Sequence, residues 1–241
     1  NYCWNLELGY TLINWAKSIN PNLIVILGGP NFPTEDFEKK AFFKNRPLVD
    51  FYIESEGEIG FVKILEKLKE YDFNVKALKK TQVNIANCSY MIGEQLIEGK
   101  IERIRDVNLI PSPYLNGLLD EFFDPKLSLI PMLETNRGCP FSCTFCADGI
   151  SFKNKVYSYD TQRVKEELNY VYNHVKNMDE LRFSDLNFGM YSKDLEVCDD
   201  IKKIQEKYNF PKYVKVTSGK NKKEKIIAAI KKLGSSTSMT M

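Results

Sequence analysis

Short apolar runs alternate with segments of helical periodicity along most of this chain, and that alternation most limits what it can fold into. In "NLIVILGGP" the residues Leu23–Leu27 carry no polar interruption, as in a strand covered on both faces. The run ends on Gly28-Gly29-Pro30, a turn signal. Ahead of it, Leu8, Leu12, Trp15, Ala16 and Ile19 recur at helical spacing over residues 5–19. Behind it, Thr34 is placed to cap a helix whose first turn carries Glu35 and Asp36, suited to the positive end of the helix dipole. "LVDFYI" then reads as a second strand and "ESEGE" as its exit turn. Phe61, Ile64, Leu65 and Leu68 mark one side of the next helix. Such alternation, with connections of a few residues, predicts a parallel α/β sheet.

The pattern breaks over residues 76–128. "TQVNIANCSYMIGEQLIEGKIERI" reads as two strands around a turn at Ile92-Gly93, and "IPSPYLNGLLDEFFDP" as a proline-rich stretch with a short apolar helix. This region is expected to be a linker with an accessory hairpin, with a domain boundary near residues 75–110. From residue 129 the alternation returns. "LIPMLET" is a strand, and a helix begins at Asp160 or Thr161 with Val164, Leu168, Val171 and Val175 on one stripe. "ELRFSDLNF" is a strand with its exit loop. A helix over 193–208 follows, turning Leu195, Cys198, Ile201, Ile204 and Tyr208 inward. "YVKVTSGKN" is again strand and loop, and Ile226, Ile227, Ile230 and Leu233 mark a last helix that Gly234 can close. The division expected is therefore 1–75, 76–128 and 129–241, the last holding three β/α units and the start of a fourth.

Within this frame "RGCPFSCTFCADG" crowds Cys139, Cys143 and Cys146, half of the chain's six cysteines, into one strand-end loop. Clustered thiols suit a metal site in a reducing cytosol better than a disulfide framework. Structural zinc takes four protein ligands, commonly as two separated pairs. The candidates for a fourth are poor: Cys198 lies on an apolar helix stripe, Cys3 and Cys88 are remote, and His174, the single histidine, sits on a helix beside Val175. A three-ligand catalytic zinc usually includes histidine. A cubane iron–sulfur cluster held by three cysteines leaves one iron open to a ligand that is not protein. Ligands in α/β folds bind at the carboxyl ends of strands, so "FSDLNF" and "VTSGKN" are expected to converge with the cysteine loop on one site.

"CPFSCTFC" resembles the C-x3-C-x-φ-C signature of the radical S-adenosylmethionine superfamily, φ being Phe145. The resemblance implies a [4Fe–4S] cluster on Cys139, Cys143 and Cys146 whose fourth iron is chelated by S-adenosylmethionine. One electron then cleaves that cofactor to methionine and a 5′-deoxyadenosyl radical, which abstracts hydrogen from a substrate. The fold implied is the first half of a partial (β/α)6 barrel. Phe145 would lie near the adenine. Asp185 and Asn187 would stand in the loop that meets the methionine amino group, although the usual Gly-Gly-Glu form is absent there. Ser218 and Lys220 would reach the ribose or carboxylate. No catalytic residue is identified.

The order helix, "NLIVILGGPNFP", helix, "VDFYIESEGE", helix resembles the second half of a Rossmann-like, flavodoxin-like cobalamin-binding domain. The resemblance implies that Gly28, Gly29 and Pro30, with Glu56 and Gly57 of the second turn, face the cofactor. Gly28 and Gly29 would let backbone approach a flat ligand. The second turn is one residue off the usual Gly-Glu-Gly-Glu, and no Asp-x-His-x-x-Gly motif is present. Some relatives keep the domain without the cofactor. With cobalamin the implied chemistry is methylation of an unactivated carbon or phosphorus; without it, radical rearrangement or ring contraction. A small-molecule or peptide substrate of unknown identity, and a flavodoxin or ferredoxin as electron donor, are implied too. The rival from another class is a zinc-binding interaction module with the cysteine loop as a knuckle.

A net charge of +2, from 34 Lys+Arg against 32 Asp+Glu, gives no argument for a nucleic-acid or membrane surface. "KNKKEK" reads as a solvated helix start. No apolar run nears the ~20 residues of a membrane span, and no signal peptide is visible. A cytoplasmic protein is expected, and a start on Asn1 with an end in a beginning strand suggests a piece of a longer one.

Overall fold

A computed structural model describes residues 2–146, 148–149, 151–234 and 237–240. The chain divides into two compact units, Asn1–Ile104 and Arg105–Met241.

The first unit runs α1 (Leu6–Ile19), β1 (Ile26–Gly28), α2 (Asp36–Asn45), β2 (Phe51–Ile53), α3 (Gly57–Glu70), α4 (Val75–Lys80), β3 (Cys88–Ile92), β4 (Gln95–Glu98). Strand order is β1-β2-β3-β4, with β1 and β2 parallel and the hairpin antiparallel. Successive side chains of a strand point to opposite faces. Phe51 packs with Ile64, Leu68, Leu78 and Tyr90 on one face, and Tyr52 with Phe42, Phe43 and Val49 on the other. The apolar run of β2 is therefore a strand buried on both faces, whereas in the run Leu23–Leu27 the strand β1 begins only at Ile26, is half-buried throughout, and leaves Leu23 exposed.

Four expectations change here. The hairpin is not an accessory in a linker: β3 pairs with β2, and Cys88 and Tyr90 are core residues. Residues 76–104 thus belong to the first unit and 105–128 to the second. The N-cap of α2 is Glu35, not Thr34, and no side chain closes that cap among the described residues. On α3, Ile64 and Leu68 are buried while Phe61 and Leu65 are exposed, because the helix turns Gly60 onto Ile53. The α1 stripe Leu8, Leu12, Trp15 and Ile19 is also exposed, and the helix packs instead through Leu6, Tyr10 and Ile13.

Gly99 closes the hairpin against residue 85. A Cβ there would lie 1.7 Å from the Ile85 carbonyl oxygen and 2.3 Å from its carbon. Backbone cannot yield as a side-chain tip can, so Gly99→Ala is expected to destabilise the first unit by about 3 kcal/mol in urea unfolding. An unchanged midpoint would show that the hairpin shifts freely.

The second unit runs β5 (Met132–Leu133), β6 (Asn136–Arg137), β7 (Tyr157–Ser158), α5 (Thr161–His174), β8 (Glu180–Phe183), α6 (Ser192–Tyr208), β9 (Tyr213–Thr217), α7 (Lys223–Leu233), β10 (Thr237–Thr240). Its main sheet has the order β10-β9-β8-β5 with every pair parallel, so three β/α units lead to a fourth strand. Val164, Leu168 and Val171 of α5, and Cys198, Ile201 and Ile204 of α6, are buried as the periodicity predicts. Tyr208, Ile227 and Ile230 are exposed, and Ala229 with Leu233 forms the buried side of α7. The apolar helix expected within 110–125 is a set of turns with one 3-10 segment, Asp120–Phe123, a second, Val107–Leu109, lying just ahead of it; Pro111, Pro113 and the left-handed Gly117 (φ 70°) keep α-helix out. No helix is long and apolar enough to cross a membrane among the described residues.

Candidate functional site

Parallel strands bring their carboxyl ends to one edge of a sheet, so the loops after β5, β8 and β9 are neighbours. The antiparallel pair β6–β7, in register Asn136↔Ser158 and Arg137↔Tyr157, forms the neck of the cysteine loop. The two other loops are zipped together. Phe188 N–H donates to Thr217 O at 2.9 Å and Gly219 N–H to Phe188 O at 3.1 Å.

All three cysteines of the loop are free thiols. Cys139 is buried, while Cys143 and Cys146 are half-buried. Cys146 N–H donates to Cys143 O at 3.1 Å, and Gly149 N–H to Cys146 O at 2.9 Å. A Cβ on Gly149 would lie 2.2 Å from Cys143 O, so this turn requires glycine.

The other loops reach the same cysteines. Asn187, buried after β8, places its Nδ2 3.2 Å from Cys139 Sγ. Its Oδ1 is buried with no hydrogen-bond partner among the described residues. Lys220, after β9, places Nζ 3.5 Å from Cys143 Sγ and sits over the rings of Phe141 and Phe145, at 5.9 and 5.8 Å from their centroids. Phe145 itself is 87% exposed. Ser218 is buried beside them in sequence and pairs with Phe188 in an isolated bridge.

Asp185 does something different from its expected role. It is 1% exposed and points across to the segment that follows β5. It accepts from Thr135 N–H at 2.7 Å, from Asn136 Nδ2 at 2.8 Å and from the Thr135 hydroxyl. Both carboxylate oxygens are thus committed to the residues that lead into the cysteine loop. Burial pushes this carboxyl up to about 7, against the pull of those hydrogen bonds. Asp194, at the start of α6, accepts from Gly189 N–H at 2.8 Å and Tyr191 N–H at 2.9 Å, and burial lifts it to about 6. Sequence reading missed Thr135, Asn136 and Asp194. The signal available was a polar pair directly after an apolar strand, and an acid three residues past Tyr191.

The remaining candidates for a fourth ligand are occupied otherwise. Cys198 is fully buried in the second unit's core, its thiol pushed up to about 12 by burial. Burial likewise raises the Cys88 thiol. His174 lies stacked on Tyr170 with Nδ1 2.8 Å from the Tyr170 carbonyl oxygen. Among the described residues, no three His, Cys, Asp or Glu side chains are gathered closely enough to hold a metal ion. Fit to a cluster therefore rests on donor chemistry: three free thiols on one loop and a buried, unpartnered amide oxygen beside them.

In the first unit, Tyr52 O–H donates to Gly29 O at 2.9 Å and the Phe32 ring stacks on Tyr52 at 3.9 Å, fixing the Gly28-Gly29-Pro30 turn. Gly29 adopts φ 106°, open to few residues besides glycine. Glu56 differs from expectation. Its carboxylate accepts from Ile104 N–H at 2.6 Å and Arg103 Nε at 3.2 Å, and so anchors the chain segment after the hairpin. Gly57 opens α3 with free space around it.

No family model matches the chain. Its relatives include the cobalamin-dependent radical SAM methyltransferase TokK of Streptomyces tokunonensis, 28% identical over 232 residues that cover 93% of this chain and 32% of that protein. Among solved structures, the cobalamin-dependent S-adenosylmethionine radical enzyme OxsB, with aqua-cobalamin and S-adenosylmethionine bound, superposes at a TM-score of 0.61. It is 19% identical and covers 95% of this chain and 32% of its own. The methyltransferase TsrM from Kitasatospora setae, with cobalamin and a [4Fe–4S] cluster bound, superposes at 0.59 with 12% identity, over 95% of this chain and 43% of that one. The structural likeness shows the fold, that of the cobalamin-binding and radical S-adenosylmethionine region of those enzymes. The chain spans about a third of the length of the curated relatives, 32% of each of two.

Proposed function

We propose that this chain, whose homologues are cobalamin-dependent radical S-adenosylmethionine methyltransferases, works as part of such an enzyme. The supporting observation is the meeting of three strand-end loops at free cysteines: Asn187 at Cys139, and Lys220 at Cys143. Cys139, Cys143 and Cys146 would hold a [4Fe–4S] cluster with one iron left for S-adenosylmethionine. That cluster supplies the electron that cleaves the cofactor to methionine and a 5′-deoxyadenosyl radical. The exposed ring of Phe145 offers a face for the adenine. Ser218 and Lys220 border the same space, and the free Asn187 Oδ1 can accept from an ammonium or hydroxyl donor.

In the first unit the fixed Gly28-Gly29-Pro30 turn and the backbone around Glu56 and Gly57 would face cobalamin. Because the Glu56 carboxylate is already committed to Ile104 and Arg103, its part there is to hold the turn. The first unit is thus the later part of a cobalamin-binding domain and the second the opening part of the barrel. Methyl transfer to an unactivated carbon or phosphorus of a small molecule or peptide, in the cytoplasm and with a flavodoxin or ferredoxin as electron donor, completes the proposal. Anaerobic reconstitution of the full-length protein tests it. A brown protein is expected, with an EPR signal on reduction that shifts when S-adenosylmethionine is added. A colourless protein carrying one zinc would overturn it in favour of an interaction module.

A further inference from the structure

We infer that Asn187 and Lys220 are positioning residues that aim donors at two cysteine sulfurs, and so set the reduction potential of the cluster proposed above, on which this inference rests. Two contacts carry it. Asn187 Nδ2 lies 3.2 Å from Cys139 Sγ, and Lys220 Nζ lies 3.5 Å from Cys143 Sγ. A thiolate can only accept, so a buried amide beside it must present its N–H edge and turn its oxygen away. Asn187 has this orientation, its Oδ1 left without a partner among the described residues.

Neither donor is free to wander. Asn187 is 1% exposed, and the next residue, Phe188, is fully buried and bonded to Thr217 and Gly219 through its backbone. Lys220 is exposed, yet the rings of Phe141 and Phe145 flank its ammonium. Iron–sulfur potentials depend on net charge, hydrogen bonds to sulfur and exposure. Each donor withdraws charge from a ligand sulfur and stabilises the more negative, reduced cluster. Residues beyond the ligands that tune them in this way are a general feature of metal sites. Asn187 gives the larger effect because it is dry; Lys220 is screened by solvent and salt. A role in cofactor contact alone would leave the cluster's own potential where it was.

The test uses the full-length protein, reconstituted anaerobically with iron and sulfide and titrated with dithionite under EPR, with no S-adenosylmethionine present. Asn187→Leu is expected to lower the equilibrium constant for one-electron reduction about tenfold, which is about 59 mV more negative, at unchanged iron and sulfide content. Lys220→Met is expected to shift it less, in the same direction, and the shift should fade at high salt. Should Asn187→Leu take up no cluster, Asn187→Asp keeps the shape and replaces the donor with an acceptor; its potential should fall at least as far. Full clusters with unmoved potentials in the variants overturn the inference alone. In a separate titration of the same variants with S-adenosylmethionine, weakened binding without a shift in potential overturns it too, and assigns both residues to the cofactor. A wild-type protein without iron and sulfide overturns the cluster proposal, and this inference with it.

Discussion

Asp185→Asn leaves the second unit folded and flattens the pH dependence of its stability, whereas Asp185→Ala destabilises it by about 3 kcal/mol or more. The carboxyl stands at about 7 instead of 3.8, chiefly through burial. A group whose pKa is raised by folding stabilises the native state below its unfolded pKa. That contribution is lost as pH rises through the folded value. For Asp185 the window runs from about pH 4 to about pH 7, and the wild-type protein is expected to lose about 2–3 kcal/mol between pH 5 and pH 8. Asp194, lifted to about 6, adds in the same direction over the lower part of the window. An amide in place of the carboxyl carries no charge to bury. It can still accept from Thr135 N–H. Its NH2 group would face Asn136, whose own Oδ1 is buried without a partner among the described residues. Turning the Asn136 amide over supplies that acceptor. Alanine offers none of this and strands the Thr135 N–H and hydroxyl, each worth about 1–3 kcal/mol when left unsatisfied, while Asn136 Nδ2 keeps its bond to Thr135 Oγ1 at 3.0 Å. Urea unfolding at the two pH values, with hydrogen exchange at the Thr135 amide, reads both variants. A slope that persists in Asp185→Asn would place the titrating group elsewhere.

Much of this was legible in the sequence, for reasons that also mark where legibility stops. The run Phe51–Ile53 betrays a strand buried on both faces because no polar residue can be spared there; Leu23–Leu27 marks a strand too, but one that begins only at Ile26 and is half-buried. Parallel strands then place their exit loops together, so the meeting of "SDLNF" and "TSGKN" with the cysteine loop follows from topology. The direction of a polar side chain within a loop does not. Asp185 turns inward because Thr135, fifty positions away, offers it a backbone and a hydroxyl donor. Glu56 turns toward Ile104, forty-eight positions on. No local pattern encodes either partner. The hairpin was legible as a hairpin, but local spacing does not reveal that β3 would pair with β2. Periodicity likewise finds the apolar stripe of α1 without saying whether the fold covers it.

Lys39→Met should destabilise the first unit by about 3–5 kcal/mol at neutral pH, the cost of breaking a buried ion pair by removing one partner. Lys39 lies on α2 with 8% of its surface exposed. Its Nζ is 3.1 Å from Glu54 Oε2 and 2.5 Å from Glu98 Oε1. Glu54 also accepts from the Ser89 hydroxyl. Burial works against the ammonium, yet the two carboxylates outweigh it and hold the lysine above its ordinary value of 10.5. Its contribution is therefore present throughout the neutral range and lost only in alkali. Methionine keeps the apolar stem and removes the charge, leaving Glu54 and Glu98 without the cation between them. The consequence reaches the candidate cobalamin face. Glu54 directly follows β2, whose Tyr52 holds Gly29 and stacks on Phe32. Loosening Glu54 is expected to loosen both strand-end turns, read as faster hydrogen exchange at residues 28–32 and 54–58. Unchanged exchange at those turns would reduce Lys39 to a packing residue.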